Sequence, residues 1–320
     1  MTFVLFESLW SLRDGLPVYR ATMSRERYIL IKRFFRVDDR TRRNPEDPLS
    51  PVRHIWNVFL SSLMTFYVPE PHLTIDEQLL EFHGNVKFRM YIPSKPGKYG
   101  MKVIWICEAS TGYALSALVY IGEASLTKEE RHEGLPITEA LTWKVVQPLL
   151  DRGYNITCDN WFTSSSLAHR LAQSNTTLVG TMRHNRRDVP LDAKSIHGRQ
   201  KKSAVYYSSQ DQLLLSFWDK GHKPVLLLST THTSPSNADN GLPEIVSFYN
   251  STKSGVDNLD HMVRFYTCRR KCCRWPYTFF CNIVDVALVN ANILWRKDSQ
   301  SDHKNRFNFL IEVGDITSSL

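Results

Sequence analysis

Cysteine is scarce: six in 320 residues, at Cys107, Cys158, Cys268, Cys272, Cys273 and Cys281, with no Cys-x-x-Cys pair. That spacing supports neither a disulfide framework nor a structural zinc site, and a reducing compartment is the simpler reading. The eleven histidines form no His-Glu-x-x-His spacing, and no P-loop or Gly-x-Ser-x-Gly string occurs. Nucleotide hydrolysis and serine hydrolysis are therefore unsupported. The first residues lack a basic stretch and carry Glu7 in their only apolar run, so they make a poor secretory signal, and an intracellular protein is expected. The longest apolar run, 276–295, is interrupted by Asn282, Asp285, Asn290 and Asn292. It reads as a buried amphipathic helix, and no membrane span is expected.

What the chain does have is a sizeable apolar fraction, 42% with 12% aromatic, and a net charge of +8. The first excludes global disorder; the second points to acidic partners, nucleic acid foremost. Helical spacing of Tyr28, Ile31 and Phe35 behind Ser24 predicts a helix over 23–35. A second, over 52–67, carries Ile55, Phe59, Leu63 and Phe66 on one face, after a basic linker at 40–51. From Leu73 the pattern changes to strands, at 73–82, 102–107 and 113–120. A helix (139–150), a strand (155–158), a helix (164–173) and a strand (177–182) follow. Three strands, helix, strand, helix, strand is the order of a ribonuclease-H-like α/β mixed sheet. Residues 186–245 break it with three strand-like runs and read as an inserted β-rich subdomain; helices near 256–266 and 275–295 then pack back on the sheet.

Asp76 lies inside an apolar strand, where a carboxylate is costly unless paired or bound to a metal. Asp159 ends the strand 155–158. Asp257 and Asp260 share a face at the start of a helix, and spacing does not choose between them. In a ribonuclease-H-like sheet Asp76 and Asp159 become neighbours, and a helix packed alongside brings Asp257 to the same point. Three converging carboxylates hold two divalent ions, an arrangement suited to phosphodiester chemistry. Basic residues flank these positions: Lys95, Lys98 and Lys102; Arg183, Arg186 and Arg187; Arg199, Lys201 and Lys202; Arg269, Arg270, Lys271 and Arg274. Such clusters suit a phosphate backbone, and Lys95, Lys98, Arg269, Arg270, Lys271 and Arg274 are expected to line one DNA path.

At these residues the sequence resembles the piggyBac transposase family. The matching strings include Leu73-Thr74-Ile75-Asp76-Glu77-Gln78-Leu79, Phe88-Arg89-Met90-Tyr91-Ile92-Pro93, Lys98-Tyr99-Gly100 and Asn155-Ile156-Thr157-Cys158-Asp159-Asn160-Trp161-Phe162-Thr163-Ser164. Tyr249-Asn250, Gly255-Val256-Asp257, Leu259-Asp260 and Arg274-Trp275-Pro276 extend the match over residues 23–295. The resemblance implies a helical dimerisation and DNA-binding region at 1–70. A catalytic domain would be split into 71–185 and 246–296 by the insertion, with a tail at 297–320. It implies Asp76, Asp159 and Asp257 as catalytic metal ligands, with Asp260 a further acid of the site, and Mg²⁺ or Mn²⁺ as the ion. Expected partners are double-stranded DNA, as transposon ends and a TTAA target, and a second copy of the chain, in the nucleus. The alternatives are a domesticated DNA-binding protein of the same fold and a metal nuclease without strand transfer. After Trp295 there is no cysteine and only His303, so no zinc site is expected in this chain, and little preference for particular ends.

Overall fold

The computed structural model describes residues 6–128, 130–131, 135–209, 211–298 and 305–319; the extreme start and part of the expected tail lie outside them. Three helices come first, α1 (Pro17–Thr22), α2 (Arg25–Phe34) and α3 (Ser50–Leu63). They precede the strands β1 (His72–Glu81), β2 (Arg89–Tyr91), β3 (Tyr99–Glu108) and β4 (Ala114–Val119). Next come α4 (Ile137–Val146), β5 (Asn155–Cys158), α5 (Ser165–Gln173) and β6 (Thr177–Thr181), then β7 (Ser203–Ser208), β8 (Leu213–Trp218) and β9 (Val225–Ser229). The described chain closes with α6 (Glu244–Thr252), α7 (Gly255–Phe265), α8 (Trp275–Lys297) and α9 (Arg306–Ser319).

The sheet is mixed. β1 pairs antiparallel with β3 and parallel with β5, β6 lies parallel beside β5, and β4 pairs with β3, which gives the expected order β4-β3-β1-β5-β6. The segment expected as a separate β-rich subdomain instead continues this sheet: β9 pairs antiparallel with β6, and β8 and β7 follow. Leu213, Leu215, Phe217 and Ile245 give it a small apolar cluster of its own. Pairing with β9 satisfies the backbone groups that β6 would otherwise leave on an open edge.

Alternation along β1 sends Thr74, Asp76 and Gln78 to one face. Thr74 and Gln78 meet α6 and α7 there, while Cys158 on the other face reaches Thr163 just before α5. The core is aromatic where α3, β3 and α8 meet, with Trp56 packed edge-on against both Trp105 and Phe279. α8 is the expected buried helix. Three of the interrupting polar residues have partners in the fold: Asn282 donates to Gln78 though its Oδ1 has no partner, Asn290 bonds both backbone atoms of Ala114, and Asp285 accepts from Thr267 and Cys268. Asn292 is buried as well, and its Nδ2 has no partner.

Four expectations shift. The buried stripe of α3 is Val52, Trp56, Phe59 and Leu63; Phe66 falls beyond the helix and is exposed. α2 forms behind its Ser24 cap, yet no residue of it is fully buried, and Ile29, Leu30, Ile31 and Phe34 face outward. Part of the expected tail is the helix α9, docked through Phe309 against Trp295. α6, unforeseen, carries Tyr249 toward the sheet.

Two glycines permit close approaches. A Cβ on Gly255 would stand 2.8 Å from Glu108 O and from Thr74 Oγ1, so only glycine lets α7 lie this near β1 and β3. At Gly180, on β6 opposite Cys158, a Cβ would collide with Thr163 and come within 2.9 Å of the Cys158 carbonyl. Gly180→Ala is expected to lower stability by about 1–3 kcal/mol through overpacking, measured as a shift in the urea midpoint. An unchanged midpoint would show that β6 yields freely.

Candidate active site

The register places the site. Ile75 pairs with Cys158 across the parallel β1–β5 ladder, so Asp76 and Asp159 follow side by side at the end of that pairing. Each carboxylate has one oxygen fixed by a nearby backbone N–H. Glu77 N donates to Asp76 Oδ1 at 2.7 Å, and Trp161 N donates to Asp159 Oδ1 at 2.8 Å. Burial, the charge of Glu77 and the charge of Asp159 push the Asp76 carboxyl up to about 7. Burial and Glu77 raise Asp159 as well, against the backbone bonds from Trp161 and Phe162. Two like charges held close in a poorly solvated place resist ionising together, and a divalent cation between them removes that resistance.

The helical acids stand differently. Asp257 is on the exposed side of the first turn of α7. Asp260 has one oxygen bonded by Gln78 Nε2 at 3.0 Å and the other by Arg264 at 2.9 Å. Gln78 also accepts from Trp105 Nε1 and Asn282 Nδ2, both at 3.1 Å. Asp260 thus closes a network that ties α7 and α8 to β1 and β3 beside Asp76. Among the described residues no three His, Cys, Asp or Glu side chains are gathered as a metal cluster. The donor set that fits a hard cation is the Asp76–Asp159 pair, while Asp257 lies on the first turn of α7, one turn before Asp260.

The basic residues divide into braces and exposed groups. Lys102, expected among the basic residues that suit a phosphate backbone, is buried over the Trp161 ring and beside Glu77, shut away from any phosphate. Arg274 closes the end of α2, donating to the carbonyls of Lys32, Arg33 and Phe35 at 3.0, 2.8 and 2.5 Å. Arg186 is paired with Asp188, and Arg199 binds Ser203 and Ser216 across the β7–β8 pair. Arg269 Nε reaches Thr267, Arg270 bonds backbone carbonyls of its own loop, and Lys95 bonds Glu77 O. Arg183 is exposed and bonds Asn160 Oδ1 next to Asp159; Lys98, Arg187, Lys201, Lys202 and Lys271 are exposed.

Sequence reasoning passed over three residues of the site. Glu77 and Trp161 orient the aspartates through their backbones. Tyr249, hydrogen-bonded with Thr181, is pushed up to about 12 by burial and feels the charges of Asp159 and Asp76. The polar Gln78 in an apolar strand was the one available signal of the network behind them.

Asp76 gives a sign-definite pH dependence. Its folded pKa lies above the ordinary carboxylate value, so the folded state holds the proton more tightly. Its contribution to stability is full below about 4 and is lost as pH rises toward about 7. In metal-free protein, Asp76→Asn is expected to raise stability at pH 8, by of the order of 1–3 kcal/mol, and to flatten that loss. Thermal melts from pH 4 to 8 check it; a variant less stable at pH 8 refutes the burial account.

The family model described as Transposase IS4 matches residues 3–292. Human PiggyBac transposable element-derived protein 3 is 22% identical over 301 residues, covering 89% of this chain and 50% of that protein. Human PiggyBac transposable element-derived protein 2 is 25% identical over 303 residues, 87% and 50% of the two chains. The chain therefore spans about half the length of these curated relatives. A cryo-EM structure of a piggyBac transposase synaptic complex with hairpin DNA superposes with a TM-score of 0.90 at 34% identity, over 97% of this chain and 65% of that one. Transposases of this kind typically depend on a divalent metal. With its order of strands, its paired aspartates and these likenesses, the chain belongs to the Transposase IS4 family, among the piggyBac-type transposases and transposase-derived proteins.

Proposed function

We propose that this chain is the catalytic core of a piggyBac-type DNA transposase, cleaving and rejoining DNA strands at TTAA sites with Mg²⁺ or Mn²⁺. The observation that carries the reading is the half-buried pair Asp76 and Asp159, set side by side by the strand register, each with its pKa raised above the ordinary carboxylate value. Those two would hold the ion, with Asp257 as third ligand after its exposed side chain turns inward. A divalent ion held there activates an attacking oxygen and steadies the leaving one. The protein's own part is orientation. Glu77 N and Trp161 N fix the carboxylates, and the Gln78–Asp260 bond keeps the first turn of α7 beside β1.

Double-stranded DNA is the proposed substrate, a second copy of the chain the proposed partner and the nucleus the proposed location. The DNA-bound state of the structural neighbour supports the substrate. Arg183, bonded to Asn160 next to Asp159, and Lys98, on the loop carrying Lys95, are exposed cations available to DNA. The rival reading, a DNA-binding protein without catalysis, is favoured by one observation, the outward Asp257.

Incubation of the purified chain with TTAA-flanked transposon-end DNA and Mn²⁺ separates the two. Asp159→Asn is expected to abolish metal-dependent nicking and to leave DNA affinity within about threefold, because it removes a ligand and no phosphate contact. Nicking that survives in the variant overturns the assignment of Asp159. DNA binding without any nicking by the unmodified chain selects the rival. Replacing Lys98 and Arg183 together by Ala is expected to flatten the plot of log affinity against log salt by about two; an unchanged slope places DNA elsewhere.

A further inference from the structure

Lys102 is enclosed, its side chain 7% exposed. Its ammonium stands 3.6 Å from Glu77 Oε2 and 3.8 Å from the centre of the Trp161 indole. These two neighbours are the residues whose backbone N–H groups orient Asp76 and Asp159. Burial lowers the pKa of the ammonium, and the charges of Glu77, Asp159 and Asp76 act against that to hold the proton. Lys95 supports the same arrangement from the rim, donating to the Glu77 carbonyl at 3.1 Å with its ammonium 4.0 Å from the Glu77 carboxylate. The ammonium thus stands against Glu77, within the field of carboxylates carried by two strands.

We propose that Lys102 is the resident counter-ion of this site, a positioning residue that balances the carboxylates when no divalent ion is bound and thereby limits how tightly one is taken up. The proposal rests on the reading of Asp76 and Asp159 as metal ligands. Buried carboxylates need a partner charge, and the ammonium supplies one through Glu77 and the indole face. A divalent ion entering between the aspartates shares their field with that ammonium, and the two cations repel across a poorly screened distance. Lys102 therefore trades affinity for order: the site keeps its shape without metal and binds metal more weakly for it.

The test is calorimetric titration of the full chain with Mn²⁺ in the absence of DNA. Lys102→Met keeps the length of the side chain and its contact with the indole and removes the charge. It is expected to bind Mn²⁺ about tenfold or more tightly than the unmodified chain, and to melt lower without metal but gain more from its addition. Glu77→Gln leaves the ammonium facing the aspartates alone and is expected to weaken Mn²⁺ binding by a comparable factor. The double variant is expected to return close to the original affinity, and Lys102→Arg to keep it. A folded Lys102→Met protein that binds Mn²⁺ equally or more weakly overturns the proposal and leaves the metal site standing. Should that variant fail to fold, unchanged or tighter binding by Glu77→Gln overturns it. If the unmodified chain and Asp159→Asn alike take up no Mn²⁺, both the proposal and the metal-site reading fall.

Discussion

Two carboxylates forced side by side by one strand register are the constraint to which the rest of the structure answers. The parallel ladder of β1 and β5 fixes Asp76 beside Asp159, and nothing in either strand can move one without breaking the pairing. Like charges so placed raise each other's energy more than they would in water, because solvent screens them poorly. The surroundings address that energy at short range: one backbone N–H for each carboxylate, one enclosed ammonium, and a helix seated on Gly255 so that its first turn comes close. The Gln78 network behind them supplies stiffness. The three partners of Gln78 come from β3, α7 and α8, so displacing any one element leaves a buried amide or indole N–H unpaired.

The positive charge of the chain divides by chemistry. Arginines serve chiefly as braces, because a planar guanidinium can satisfy several carbonyls at once, as Arg274 does at the end of α2 and Arg199 does between β7 and β8. This explains why clusters of basic residues in the sequence overstate the surface offered to a phosphate backbone. Arg186, Arg199, Arg274 and Lys102 all came from such clusters and all have partners inside the fold. Arg183 keeps exposed charge next to Asp159, and Lys98 keeps it on the loop before β3.

The order of elements was legible because each carries a strong local signal: Ser24 and Ser164 cap their helices as expected, and the strand 155–158 is bounded as its apolar run suggests. The juxtaposition of Asp76 with Asp159 was legible too, since it follows from strand order alone. What the sequence concealed depends on distance through space. Whether Lys102 points to solvent or to Glu77 is decided by the face of β3 on which it lies, and a one-residue change in the start of that strand reverses it. The role of Asp260 hangs on Gln78, 182 positions away. The continuity of β7, β8 and β9 with the main sheet was hidden because a strand's partner is not written in the strand, and β6 accepts β9 only once both are in place.

The exposed Asp257 and the enclosed pair bear on whether the fold retains its chemistry. A buried aspartate raised toward neutrality is a standing loss of stability at physiological pH, and asparagine, of nearly the same size, relieves it while keeping a hydrogen-bond acceptor for the same backbone N–H. A protein that used this fold only as a DNA-binding surface would gain stability from that exchange at either position and lose nothing by it. The chain instead carries both acids, with Glu77 next to Asp76 and two lysines within 4.0 Å of the Glu77 carboxylate. Asp257 is exposed where it stands, so its retention says less. The pair that is costly to hold thus supports the proposed catalysis, and under that proposal the first turn of α7 is the element whose movement would bring the third carboxylate to the site.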